Sequence, residues 1–218
     1  MYARKAHRQC IGIQRGEGIV ATEFTRADLL RRGAVGALLV SASGLTAFAG
    51  AASAATIPDA DLAYLRLLIA GELLALDFQD RALASGKLRH DARPVFRKMR
   101  ADEKAHYTKL ANVLTAAGGT PATAGDIDFS YPKGSFHGEG SILRLAEQIE
   151  RLLVGAYLGA VENVETPELR QPIGQIAANE AQHAGAVAEL AGGGVIGRAF
   201  APALQMAAAS DALDRFES

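Results

Sequence analysis

The chain has 218 residues, with 23 Lys and Arg against 24 Asp and Glu, a formal net charge of −1 and one cysteine. That balance argues against a nucleic-acid binder whose affinity rests on phosphate neutralisation, and a lone Cys excludes an internal disulfide and a thiolate zinc or iron–sulfur site. With 49% hydrophobic and 22% charged residues, wholesale disorder is also excluded, leaving one Ala-rich helical domain with an extension.

Residues 1–54 hold seven bases and three acids, leaving sixteen bases and twenty-one acids beyond them. Arg31-Arg32 opens an uncharged run, Gly33 to Ala55, whose length alone would suffice to span a bilayer. Its mild hydrophobicity and the small residues Ala52-Ser53-Ala54 read instead as a signal peptide with an A-x-A cleavage site. Twin arginines before a weakly apolar stretch resemble a Tat signal. The box-like Thr25-Arg26-Ala27-Asp28-Leu29-Leu30 has lost its second Arg, and the actual pair follows six residues later. On this reading residues 1–54 are cleaved and the protein is exported to the periplasm or cell envelope. An uncleaved N-terminal anchor is the alternative. Cys10 lies in the leader, so the mature chain carries no cysteine.

Four helices follow by their period. Leu62 to Leu83 keeps Leu65, Leu68, Ile69, Leu73, Leu76 and Leu83 at helical spacing, with start signals at Pro58 and Asp59 and a stop at Ser85-Gly86. The second helix runs from Pro94 to Ala117, with Val95, Met99, Leu110, Val113 and Leu114 on one side. Residues 118–140 carry six Gly and two Pro without helical period, which fits a long crossover from one end of a bundle to the other. The third helix spans Ser141 to Asn163, and its Gly155 and Gly159 predict close approach of a neighbouring helix. Thr166-Pro167-Glu168 starts the fourth helix with a cap residue, Pro at N1 and an acid at the positive dipole end. That helix ends before Gly192-Gly193-Gly194, and residues 203–216 fit one more short amphipathic helix. The expected fold is all-α: a four-helix bundle over residues 55–191 and a tail, 192–218, with a short helix.

Each apolar stripe is interrupted by residues that do not belong in a core. Glu72 lies on the line Leu65–Ile69–Leu76, and Glu103 and His106 lie between Met99 and Leu110. Glu150 sits near Ile149, Leu153 and Tyr157, and Glu180 and His183 fall between Ile176 and Val187. An unpaired buried carboxylate costs several kcal/mol or neutralises by raising its pKa, so four of them require compensation. Glu at i and His at i+3 share a helix face and can ligate one metal. The pattern occurs twice, in Glu103-x-x-His106 and Glu180-x-x-His183, although only four His follow residue 54. Glu72 precedes Glu103 by 31 residues and Glu150 precedes Glu180 by 30, separations that return an antiparallel helix pair to the same height. The sequence thus contains two copies of one half-site. Two divalent cations balance four carboxylates, the stoichiometry of a di-iron or di-manganese carboxylate centre in a helical bundle.

Residues 56–191 resemble the ferritin-like superfamily, most closely its exported members with Tat-type signals and a di-metal site of the rubrerythrin and bacterioferritin type. The stretches that carry the resemblance are Asp102-Glu103-Lys104-Ala105-His106, Ile149-Glu150 leading to Ala156-Tyr157-Leu158-Gly159, and Asn179-Glu180-Ala181-Gln182-His183. The resemblance implies two Fe or two Mn ions held by Glu72, Glu103, His106, Glu150, Glu180 and His183, with Glu103 and Glu180 bridging. It also implies that Asp102 orients His183 and Asn179 orients His106. Asn at that second position departs from the acid found in related sites and makes His106 the weaker donor.

Glu147, three residues before Glu150, is a rival ligand. Tyr157 reads as core packing rather than redox machinery, and Tyr107 points elsewhere. His90 and His137 read as solvated, and Glu139, Glu162, Glu165 and Glu168 as exposed acids. The function expected from the resemblance is redox handling of peroxide, O2 or ferrous iron, in the manner of a ferroxidase or catalase. The alternatives are a non-catalytic metal-binding or stress-protective module, or a structural bundle with a vestigial site. Expected partners are metal ions and small oxidants, with no nucleic acid and no membrane once the signal is cleaved. A homo-oligomer is left open, but nothing marks the assembly surface of a storage cage.

Overall fold

Five α-helices appear in the computed structural model, which describes residues 57–217. The proposed leader, its arginine pair and the cleavage site lie outside the described residues. The helices are α1 (Asp59–Ala84), α2 (Ala92–Ala116), α3 (Glu139–Asn163), α4 (Pro167–Leu190) and α5 (Met206–Leu213), with a 3-10 turn at Asp214–Phe216. The domain is all-α, as the periodicity predicts.

Three helices start before their apolar pattern does. α1 begins right after Pro58, and Asp59 and Asp61 favour the positive end of its dipole. α2 begins two residues before Pro94, with the Asp91 side chain accepting the Ala92 N–H. α3 begins at Glu139, where the Ser141 hydroxyl accepts from the Gly138 N–H. α4 starts at Pro167 with Thr166 as its cap residue, but the Thr166 side chain makes no capping bond. Asp61 of α1 instead holds the two residues just ahead of the helix, accepting the N–H groups of Glu165 and Thr166 at 2.9 and 2.8 Å. The α3–α4 corner is therefore tied to the start of α1.

α1 packs mainly on α2 and α3 mainly on α4, and the two pairs meet through α1–α3 and α2–α4. The predicted stripe residues Leu65, Leu68, Ile69, Leu73, Met99, Leu110 and Leu114 are buried, whereas Leu76, Leu83, Val95 and Val113 are half-buried. Phe78 and Phe96, absent from the predicted stripes, fill the core instead. The helix-free crossover between α2 and α3 anchors through its aromatic residues. Tyr131 and Phe136 stack on Phe78 with ring centroids 5.6 and 5.5 Å away, and the Tyr131 hydroxyl donates to Asp77 at 2.8 Å. The Ser130 N–H donates to the Phe216 carbonyl, so the crossover also holds the C-terminal turn. Among the described residues no helix is long and apolar enough to cross a membrane.

Gly155 and Gly159 do admit a close neighbour, but it is not a helix. The chain ahead of α5 crosses α3 there, and the Leu204 N–H donates to the Gly155 carbonyl at 2.8 Å. A Cβ on Gly159 would overlap the Leu204 carbonyl oxygen, and one on Gly155 would lie 2.8 Å from Leu204 Cγ. Alanine at position 159 gains helix propensity of about 1 kcal/mol, but the overlap outweighs it because backbone cannot rotate away. Gly159→Ala is expected to destabilise the fold by about 1–3 kcal/mol in urea unfolding.

Candidate metal centre

The four long helices bring all six sequence-predicted residues to one place. α1 supplies Glu72, α2 Glu103 and His106, α3 Glu150, and α4 Glu180 and His183. The four Glu residues are 0–2% exposed and the two His residues 9% and 5%. Helical spacing explains the convergence: i, i+3 pairing sets Glu and His of one helix side by side, and antiparallel packing aligns the two pairs.

The cluster divides into two overlapping donor sets. Glu72, Glu103, His106 and Glu180 each place one donor atom within 4.8 Å of the others, and so do Glu103, Glu150, Glu180 and His183. His106 Nδ1 lies 3.2 Å from Glu103 Oε2, 2.8 Å from Glu180 Oε1 and 3.5 Å from Glu72 Oε2. His183 Nδ1 lies 3.1 Å from Glu103 Oε1, 3.4 Å from Glu180 Oε2 and 3.5 Å from Glu150 Oε2. Glu103 and Glu180 thus turn one oxygen to each side, the disposition of a bridging carboxylate, whereas Glu72 and Glu150 each serve one side. The imidazole centroids are 6.1 Å apart.

Both imidazoles direct Nδ1 inward and Nε2 outward. His106 Nε2 is 3.1 Å from Asn179 Oδ1, and His183 Nε2 is 3.3 Å from Asp102 Oδ2. A proton on each Nε2 leaves the Nδ1 lone pair facing the carboxylates, the tautomer a metal ligand needs. Asp102 also pairs with Lys98.

Electrostatics at the cluster demand a positive charge. Burial pushes Glu72 and Glu150 well above the usual carboxylate range, against the pull of the histidines. Burial also raises Glu103, but its hydrogen bond with His106 and the facing His183 imidazole outweigh it and hold that group at about 2. Burial lowers His106, yet the carboxylates of Glu103, Glu180 and Glu72 facing its Nδ1 lift it to about 12. His183 moves upward for the same reason, through Glu103, Glu150 and Glu180. Glu72 Oε2, Glu150 Oε2, both Glu180 oxygens and His183 Nδ1 have no hydrogen-bond partner. An unsatisfied buried polar atom costs about 1–3 kcal/mol. Two divalent cations between the donor sets would satisfy all of these atoms at once, and a carboxylate–imidazole set suits divalent first-row metals.

Two contacts were not legible as functional in the sequence. The Tyr157 hydroxyl donates to Glu72 Oε1, so this fully buried residue touches the centre rather than only filling the core. Gln79, 1% exposed, donates from Nε2 to Glu103 Oε1 at 3.2 Å and Glu150 Oε1 at 3.4 Å. Both follow a half-site Glu by seven residues on the same helix, Gln79 after Glu72 and Tyr157 after Glu150, and that repeated offset is the signal.

The remaining predicted residues lie elsewhere. Glu147 is half-buried and pairs with Arg151 at 2.7 Å, away from both donor sets. The Tyr107 hydroxyl donates to the Ala122 carbonyl at 2.9 Å. His90, His137, Glu162, Glu165 and Glu168 are exposed. Glu139 departs from expectation: it is half-buried because Arg89 pairs with it at 2.7 Å.

A ferritin-like domain family model matches residues 47–193, and the chain belongs to that family. Among solved structures, the chain is similar to one described as a crystal structure of ferritin like, diiron-carboxylate proteins from Bacillus anthracis str. Ames. That match has a TM-score of 0.53 and 25% identity, and covers 61% of this chain and 96% of that one. No curated protein sequence matches.

Proposed function

We propose that this chain binds two Fe(II) or two Mn(II) ions between its long helices and serves in redox handling of peroxide, O2 or ferrous iron. We place it outside the cytoplasm, exported on the Tat-type signal read in residues 1–54. The observation that carries the proposal is the pair of donor sets sharing Glu103 and Glu180, whose buried oxygens lack hydrogen-bond partners. The solved structure that this chain resembles is described as a diiron-carboxylate protein, which favours iron. The donor set itself accepts either metal, and availability decides between them.

Glu72 and His106 would hold one ion and Glu150 and His183 the other, with Glu103 and Glu180 belonging to both donor sets. Two such ions, when bound, would supply two-electron redox chemistry between their divalent and trivalent states. Asp102 and Asn179 fix the imidazole rings in the ligating orientation. Glu72, Glu103 and Glu180 are fully enclosed, and His106 keeps only 9% of its surface exposed. The same enclosure favours a second reading, a metal-binding or stress-protective module without turnover.

Peroxide consumption by the purified chain loaded with Fe(II) or Mn(II) separates the two. Steady consumption with about two ions per chain is expected. Two bound ions without consumption would establish the non-catalytic module, and failure to bind either metal would refute both readings.

A further inference from the structure

The two halves of the centre share a ligand pattern but not their surroundings. His183 Nε2 meets a carboxylate, Asp102 Oδ2 at 3.3 Å, whereas His106 Nε2 meets a neutral amide, Asn179 Oδ1 at 3.1 Å. An anionic acceptor draws the Nε2 proton harder and makes Nδ1 the stronger donor. Asp102 shares its charge with Lys98, which weakens this effect but leaves a carboxylate where the other half has none.

The one-sided Glu ligands differ in the same direction. Glu72 Oε1 accepts the Tyr157 hydroxyl, a more acidic donor than an amide, so part of its charge is engaged. Glu150 Oε1 accepts only the Gln79 amide, at 3.4 Å, and that amide is shared with Glu103. Tyr157 and Gln79 occupy corresponding positions, seven residues after the Glu of their own helix. Pseudo-symmetry of the fold therefore presents unlike groups at like places.

Resting on the di-metal reading above, we infer that the two ions bind unequally: the position of Glu150 and His183 fills first and tightly, and that of Glu72 and His106 fills second and exchanges readily. Outer-shell partners of metal-bound His alter affinity about 10–100-fold, so the two steps should differ by about tenfold or more.

Titration of the full chain with Mn(II), followed by electron paramagnetic resonance, tests this. The free-ion signal reports each binding step, and the bound signal separates a lone ion from a magnetically coupled pair. At one equivalent the bound metal should be mainly lone ions, with coupled pairs appearing only toward the second. His106→Ala should keep the tight step, and His183→Ala should lose it. Asn179→Asp, a small change, should strengthen the second step and narrow the gap. Coupled pairs from the first addition, two equal steps, or a tight step that survives His183→Ala but not His106→Ala would overturn the inference while leaving two-ion binding intact. No bound Mn(II) at all would instead remove the di-metal reading beneath it. Far-UV circular dichroism of each variant separates loss of a ligand from loss of fold.

Discussion

Glu103→Ala is expected to abolish binding of both ions, whereas Glu72→Ala removes only one. The difference follows from geometry rather than from charge, since each change deletes a single buried carboxylate. Glu103 turns Oε2 toward His106 and Oε1 toward His183, at 3.2 and 3.1 Å, and so contributes to both donor sets. Glu72 belongs to one set, that of His106. Loss of an outer-shell partner already costs about 10–100-fold in affinity, and loss of a bridging ligand should exceed that at both positions. Metal analysis after dialysis should give about two ions for the parent chain, none for Glu103→Ala, and the Glu150–His183 ion alone for Glu72→Ala. Equal retention in the two variants would mean that Glu103 does not bridge.

Metal-free protein should lose stability as pH rises through neutrality, and bound Mn(II) should remove that dependence. Two kinds of group act together. His106 has its pKa raised from 6.5 to about 12, so its contribution is fully present below 6.5 and is withdrawn as pH climbs toward 12. Glu72 and Glu150 are raised well above 4.5, so they too favour the fold at lower pH and weaken it as they are forced to ionise. Glu103 runs the other way, but its window lies between 4.5 and about 2, where stability falls with acid. A single group changes stability by about 1.4 kcal/mol per pH unit. About 1 kcal/mol moves the Tm of a domain this size by about 2–4 °C, so His106 alone should cost chelator-treated protein on the order of 10 °C between pH 6.5 and 9, and any ionisation of Glu72 or Glu150 adds to that loss. Cations take the lone pairs that protons otherwise occupy, and their affinity rises with pH. Superimposable melting profiles with and without Mn(II) would show that protons, not metals, are the native compensation.

The bundle and the convergence of six side chains were legible because both follow from helical period. Charge on an apolar stripe is visible without coordinates, and i, i+3 spacing fixes which Glu and His share a face. The 30- and 31-residue separations then set the two half-sites at one height. Tyr157 and Gln79 escaped because a tyrosine and an uncharged amide among apolar residues raise no such alarm. Period also says that a glycine face is approached closely but not by what: the pattern at Gly155 and Gly159 predicts a helix, and the extended segment at Leu204 lies there instead. The anchoring of the crossover depends on Tyr131 and Phe136 meeting Phe78, contacts between segments over 50 residues apart with no local pattern to announce them. Thr166 does stand at the cap position, but its side chain makes no capping bond, and its own N–H is held by Asp61, more than 100 residues earlier.

Anomalous diffraction at the manganese edge, from crystals of the chain grown with Mn(II), puts the cation-neutralised cluster to its most direct test. Two peaks inside the bundle are predicted, both in contact with Glu103 and Glu180, one also touching Glu72 and His106 and the other Glu150 and His183. Peaks confined to surface acids, with the buried cluster free of anomalous signal, would contradict it.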